Sequence, residues 1–368
     1  MVSNNNGRTA SESFKAQTLV YRHMYGILDA MCLKWIVNFR IPNIIHNHGK
    51  PITLSELVSV LKIPSAKVDT TDLFMRYMAH NGFFDIVTIH GDDDSNQEEE
   101  NEAFALTAAS ELLIKGTENP CISPMVEMFL DDPTLTSSMH HLNKWFYDEN
   151  RPLYEITLGK PLWEFLDKNP TNLSLYNDAM ASDSQMIKLA LKDHNMVFEG
   201  LETIVDVGGG TGTTAQIISE KFPALKCIVF DLPQVVENLK GCNNLSFVAG
   251  DMFESIPKAD AILLKVVLHN WSEDDCVKIL RNCKDAINAS SKNKNKDKII
   301  ILDSVIDEEQ DEPEITRLKL LMNISMHIIH DGKEKTKKEW KNIFYKAGLY
   351  NYKISPFTGY LSLIEIYP

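Results

Sequence analysis

The residues best suited to chemistry gather around Ile204-Val-Asp-Val-Gly-Gly-Gly-Thr-Gly212 in this 368-residue chain. Apolar β-formers run there into three consecutive glycines and a fourth two residues on, and a helical pattern follows from Thr213 to Phe222. A strand that ends in glycines and turns into a helix lets a ligand approach the backbone and the helix N-terminus; a Cβ at Gly208 or Gly210 would stand in its way. The dinucleotide spacing G-x-G-x-x-G is not met, because Thr213 takes the place of its third glycine. Downstream, Cys227-Ile-Val-Phe ends in Asp231, where a carboxylate at a strand tip can hold both ribose hydroxyls. A third run, Leu245-Ser-Phe-Val, leads into Gly250-Asp-Met-Phe253, which places Asp251 near an adenine's exocyclic amine and Met252 and Phe253 against its faces. These tips suit an adenosine with a short tail and no pyrophosphate, hence S-adenosylmethionine rather than NAD. An NAD-dependent oxidoreductase is the alternative from another class. His269 follows the strand Ala261-Ile-Leu-Leu264 and stands at the cleft mouth. An imidazole with a pKa of about 6.5 can take a phenolic proton at neutral pH, and methyl transfer otherwise asks mainly for positioning. A lone histidine is more commonly structural.

The elements that must position these groups alternate strand and helix after Thr203, the pattern of a parallel sheet covered on both faces. Strands are expected near 203–207, 226–230, 245–248, 260–267 and 298–304, with a final antiparallel edge hairpin over 351–355 and 360–367. Ligands of such sheets sit at the carboxyl ends of the strands, so Asp231, Asp251, Lys265 and Asp303 belong to one site. Upstream, residues 1–12 read as disordered and Phe14 to Ile44 as helical. Thr53 and Glu56 form a capping box, and a helix over Thr71 to His80 is closed by Asn81-Gly82. Strands Phe83–Ile89 and Ala103–Thr107 flank the acidic, solvated segment His90–Glu102. Helices followed by such a ribbon are similar to a winged helix, but an acidic tip repels phosphate. From Ile122 to Phe198 the chain is helical again, interrupted at Pro133, Pro152 and Pro170, and Tyr176–Ser184 should line the cleft. The tract Ser290–Asp297 reads as a polar surface loop.

A net charge of −14 argues against nucleic acid and anionic membranes as partners. Six scattered cysteines without a C-x-x-C pair read as free thiols. The polar start of the chain lacks a signal-peptide apolar region, and no uncharged apolar run reaches the length of about 18 residues that a span needs. A cytoplasmic location is expected. Neither His46-Asn-His48 nor His140-His141 has zinc-ligand spacing.

Three segments, Asp206-Val-Gly-Gly-Gly-Thr-Gly212, Gly250-Asp-Met-Phe253 and Leu264-Lys-Val-Val-Leu-His-Asn-Trp271, resemble those of plant small-molecule O-methyltransferases dependent on S-adenosylmethionine. The likeness extends over nearly the whole chain, from His48-Gly-Lys-Pro51 and Arg76–Phe84 to Leu361–Pro368, and looks most like the legume isoflavone 7-O-methyltransferases. It implies an α/β fold in which residues 201–368 form a Rossmann-like methyltransferase domain. Residues 1–120 would be a mostly helical, winged-helix-like dimerisation domain, and 121–200 a helical linker contributing to the substrate pocket. The resemblance makes His269 the general base, with Asp303 and Glu334 orienting it. It assigns Gly208, Asp231, Asp251, Met252, Lys265 and Ser184 to the cofactor, and Met180 and Met326 to a clamp on the flat phenolic ring. No metal is expected, because His269-Asn270 stands where metal-dependent methyltransferases carry a carboxylate cluster. The expected partners are a phenolic substrate, with the isoflavone 7-hydroxyl favoured over the 4′-hydroxyl, and a second copy of the chain. Asn323, often acidic in relatives, and an unusual loop entry at His327 to His330 depart from the pattern.

Overall fold

The structure is a computed structural model and describes residues 9–90, 100–148, 151–290, 297–330 and 332–368. Its contacts divide into two compact units, 1–133 and 134–368. Residues 1–8 and 91–99, most of the acidic segment, lie outside the described residues, as do 291–296 of the polar tract.

In the first unit the stretch Phe14–Ile44, expected to be helical, falls in three successive helices, Ala10–Met24, Gly26–Asn38 and Ile41–His48. The physical reasons are local. Arg40 takes a left-handed φ of 52°, and Pro42, which lacks an N–H, sits in the first turn of the third helix. Thr9 and Glu12 form a capping box on the first helix, so residues 9–12 are ordered and not part of a disordered tail. The second capping box is as expected: Glu56 N–H donates to Thr53 Oγ1 while Thr53 N–H donates to the Glu56 carboxylate. A three-stranded antiparallel sheet completes the unit, with β1 (Ile52–Thr53) and β2 (Phe84–His90) on either side of β3 (Glu100–Leu106). Ile36, Ile41, Leu57, Met75 and Phe104 close its core. By contrast, the helix Ala10–Met24 buries none of its residues, and Phe14, Val20, Ile27 and Leu28 are exposed.

The second unit opens with a series of helices, the longest Pro170–Ser184, up to the turn Asn195–Phe198, followed by the sheet. Its strands are β4 (Thr203–Val207), β5 (Lys226–Asp231), β6 (Leu245–Ala249), β7 (Ala261–Lys265), β8 (Lys298–Ile306), the short β9 (Lys335–Thr336), β10 (Asn351–Pro356) and β11 (Leu361–Tyr367). The order is β10-β11-β8-β7-β4-β5-β6, with β9 beside β8. Strands β4 to β8 pair in parallel; β11 is antiparallel to both β8 and β10. Alternate residues feed two cores, Ile262 and Leu264 on one face and Leu263 and Ile300 on the other. This two-sided burial is why the central strands β4, β7 and β8 are mostly apolar rather than alternating. The chain runs outward from β4 through β5 to β6 and then crosses to β7 on the other side of β4. The glycines after β4 therefore lie at the switch point where open α/β sheets bind ligands. Two expected strand ends move. The strand expected over 260–267 stops at Lys265, because Val266 takes φ 48°. Asp303 is inside β8 rather than closing it, since pairing continues through Ser304 to β11 and through Val305 and Ile306 to β9.

Candidate active site

Gly208, Gly210 and Gly212 all have positive φ (67°, 57° and 86°), the region open to glycine at little cost. They do not serve one purpose. A Cβ on Gly212 would lie 2.9 Å from the Phe247 ring, and one on Gly208 would lie 3.0 Å from Val267, so these two are fixed by packing within the protein. Only Gly210 faces open space, with nothing within 4 Å of an added Cβ. An added side chain would thus enter open space at Gly210 and the protein interior at Gly208. The following helix, Thr213–Lys221, starts at Gly212, which has no side chain to cap it; the Ala215 N–H faces the Asp206 carboxylate, and the N–H groups ahead of it are left for a polar ligand.

Asp231 reaches back to this turn. Its Oδ2 accepts from the Gly210 N–H at 2.8 Å and its Oδ1 from the Leu232 N–H at 2.7 Å. Each carboxylate oxygen retains a second lone pair for a ligand hydroxyl. Burial pushes the Asp231 pKa up, against these two backbone bonds. Asp251 caps its own tip, accepting from the Phe253 N–H at 2.8 Å. Met252 is half-buried against the core. Phe253, expected to flank an adenine, packs edge-on against Trp271 with ring centroids 4.7 Å apart. Beneath the turn, Asp206 is buried and pushed up to about 7, chiefly by burial.

Lys265 at the end of β7 is paired with a residue absent from the sequence-based assignment. Its Nζ donates to Asp183 Oδ2 at 2.6 Å, and Asp183 Oδ1 accepts from the Tyr360 hydroxyl at 2.9 Å. The Ser184 hydroxyl donates to the Met180 carbonyl at 2.9 Å, one helical turn back. Met180 and Met326 are half-buried, on the helices Pro170–Ser184 and Pro313–His330.

His269, Asp303 and Glu334 come together from a short turn after β7, from β8 and from the segment before β9. Their ligating atoms lie within 4.8 Å of one another, the only such buried cluster of three among the described residues. His269 Nδ1 is 2.9 Å from Glu334 Oε1 and 3.8 Å from Asp303 Oδ1. A carboxylate acceptor on Nδ1 assigns the proton to that nitrogen and leaves Nε2 with a lone pair. Burial alone lowers the His269 pKa, but Asp303 and Glu334 together outweigh it, so the imidazole is raised above its ordinary value. Asp303 is itself pushed up to about 6, first by burial and then by Glu334, with the His269 charge opposing. The Nδ1–Oε1 spacing is that of a hydrogen bond; the same donor set could also hold a small divalent cation.

What holds this cluster was not legible in the sequence. A Cβ on Gly332 would fall 2.2 Å from the His269 carbonyl oxygen, so only glycine lets this segment lie on the histidine's backbone. The next residue, Lys333, donates its N–H to that carbonyl at 2.8 Å. Lys335 is 1% exposed and donates from Nζ to the Leu268 carbonyl at 2.8 Å. Asn323 accepts the Glu334 N–H at 3.0 Å, a neutral partner where an acid would add a third carboxylate beside two buried ones. His327 to His330 form the last turn of the helix Pro313–His330 and not a loop entry. The His330 ring stacks on Trp163, centroids 5.3 Å apart, and burial, aided by His269, drives its pKa down to about 3.

Comparison with known proteins adds the following. A family model described as the O-methyltransferase domain matches residues 139–350, and one described as the O-methyltransferase dimerisation domain matches 21–116. The chain is 59% identical to an isoflavone 7-O-methyltransferase of Glycyrrhiza echinata, over all of both chains. It is 57% identical, again over all of both chains, to isoflavone-7-O-methyltransferase 9 of Medicago sativa. It is 55% identical to a flavonoid 4′-O-methyltransferase of Glycine max, over 99% of each. Among solved structures, human N-acetylserotonin methyltransferase in complex with SAM superposes with a TM-score of 0.74 at 18% identity, covering 100% of this chain and 99% of that one. A methyltransferase of calicheamicin biosynthesis in its SAH-bound form gives 0.76 at 21% identity, covering 96% and 98%.

Proposed function

Since this chain belongs to the O-methyltransferase family, we propose that it methylates a phenolic hydroxyl of an isoflavonoid with S-adenosylmethionine as donor and His269 as general base. The observation that carries this reading is the His269–Glu334 bond beside Asp303, which turns a buried imidazole into an oriented base. A phenol attacks well as phenolate. His269 Nε2 takes its proton, and the buried carboxylates stabilise the imidazolium that results.

The residues fit the donor. Gly210 offers open backbone, the uncapped helix start offers N–H groups, and Asp231 has lone pairs for ribose hydroxyls; Asp251, Met252, Lys265 and Ser184 complete the proposed set. When bound, the donor supplies a methyl group on a sulfonium. The chain's own part is to keep the phenolate oxygen placed and its proton removed. Met180 and Met326 are assigned to the flat ring of the acceptor. The reading includes no metal, a second copy of the chain as partner, and a cytoplasmic location. No described helix is long and apolar enough to cross a membrane.

The relatives named for 7-O-methylation favour the isoflavone 7-hydroxyl, and the soybean relative makes the 4′-hydroxyl the second reading. The test is turnover of S-adenosylmethionine in EDTA against daidzein, genistein, an isoflavanone and caffeic acid, with products placed by fragmentation. A 7-methyl ether is expected. Methylation of caffeic acid alone would overturn the acceptor and keep the chemistry, whereas activity dependent on added metal would overturn the base. His269→Gln should lower turnover by roughly 10²–10⁴-fold while S-adenosylhomocysteine still binds.

A further inference from the structure

We propose that Tyr360 is a positioning residue for the donor side of the cleft, its phenol fixing Asp183, which in turn fixes the Lys265 ammonium. The inference rests on the donor site assigned above.

The chain of contacts crosses three elements distant in sequence. Lys265 ends β7, Asp183 lies in the last turn of the helix Pro170–Ser184, and Tyr360 is carried in by the turn between β10 and β11. Both bonds are short, 2.6 Å and 2.9 Å, and the Lys265 and Asp183 side chains are only 6% and 18% exposed. Each Asp183 oxygen has its own donor, so the carboxylate cannot rotate without losing one. A buried ammonium without its carboxylate is strongly disfavoured, which makes the Lys265 position depend on Asp183. Tyr360 is built for the outer link. Burial, then Asp183, and more weakly Glu334 and Asp303, hold its hydroxyl well above the usual tyrosine range, so it stays a donor at any working pH. Its turn is closed by the Phe357 N–H on the Leu361 carbonyl at 3.0 Å. On the other side the Lys265 charge acts on Asp206 under the glycine turn. The series Tyr360–Asp183–Lys265 therefore ends where the donor is proposed to sit.

The experiment is calorimetric binding of S-adenosylhomocysteine to the full chain, for Tyr360→Phe and Lys265→Met singly and combined. Tyr360→Phe alone should weaken binding about tenfold, the scale of one hydrogen bond to a charged acceptor. With Lys265→Met already present it should weaken binding no further, because both changes break one series. The KM for the donor should rise by the same factor, with kcat nearly unchanged. Equal losses in both backgrounds, or unchanged affinity, overturn the inference. Failure of the unmutated chain to bind S-adenosylhomocysteine instead overturns the donor site itself. Should Tyr360→Phe not fold, Asp183→Asn probes the same series from its middle, with the same non-additivity expected against Lys265→Met.

Discussion

At the scale of single residues, His269 faces two carboxylates that raise its pKa, and the sign of the resulting pH dependence follows. As the proposed base, His269 acts unprotonated, so kcat/KM should rise with pH through a midpoint above about 6.5, the ordinary histidine value. Glu334→Gln removes one negative charge and leaves Asp303 alone to oppose burial and the nearby Lys335, so the midpoint should fall by about one unit. A pH–rate profile of the two proteins checks this; an unmoved midpoint would mean that the limb belongs to another group. The glycine turn and the strand-tip position of Asp231 were legible because residue types and spacing carry them locally, whereas the role proposed for His269 rested on the family resemblance. Asp303 could be placed near the site by its strand, but its pairing with His269, and Glu334 altogether, were readable only through family resemblance. Lys335 and Tyr360 were not readable at all, since a lysine in Gly-Lys-Glu-Lys-Thr looks solvated until Leu268, 67 residues earlier, is seen to accept from it.

At the scale of elements, the site depends on two backbone devices. Val266 holds a left-handed φ of 48°, a rare state for a β-branched residue, and donates its N–H to the Leu302 carbonyl at 2.9 Å. That conformation ends β7 and begins the turn to His269. Gly332 lies against the far side of the same turn. Gly332→Ala should therefore cost about 1–3 kcal/mol in denaturant unfolding and lower turnover more than tenfold, by displacing the histidine backbone. Unfolding curves and kcat together check it, and normal turnover in a destabilised protein would separate the two effects. Every strand of the sheet except the two-residue β9 was legible to within about two residues, the central ones because both faces are buried. The break at Arg40 was not, since its left-handed φ leaves no mark in an apolar helical periodicity.

At the scale of the molecule, the first unit presents Val20, Ile27 and Leu28 to solvent on helices that overlap the family's dimerisation domain. Apolar side chains grouped in this way favour a partner surface. Ile27→Asp combined with Leu28→Asp should shift the sedimenting species from twice the 41.7 kDa chain mass to that mass itself, and an unchanged dimer would place the interface elsewhere. The pairing of Tyr360 with Asp183 has a further consequence, for the order in which the protein assembles. The two residues are 177 positions apart, whereas β4 and β5 adjoin in sequence. Contacts that close so long a loop form late, because their entropy must be overcome before they contribute. On refolding, backbone circular dichroism should recover before S-adenosylhomocysteine binding does. A chain caught between those two events would look folded and be unable to hold its donor.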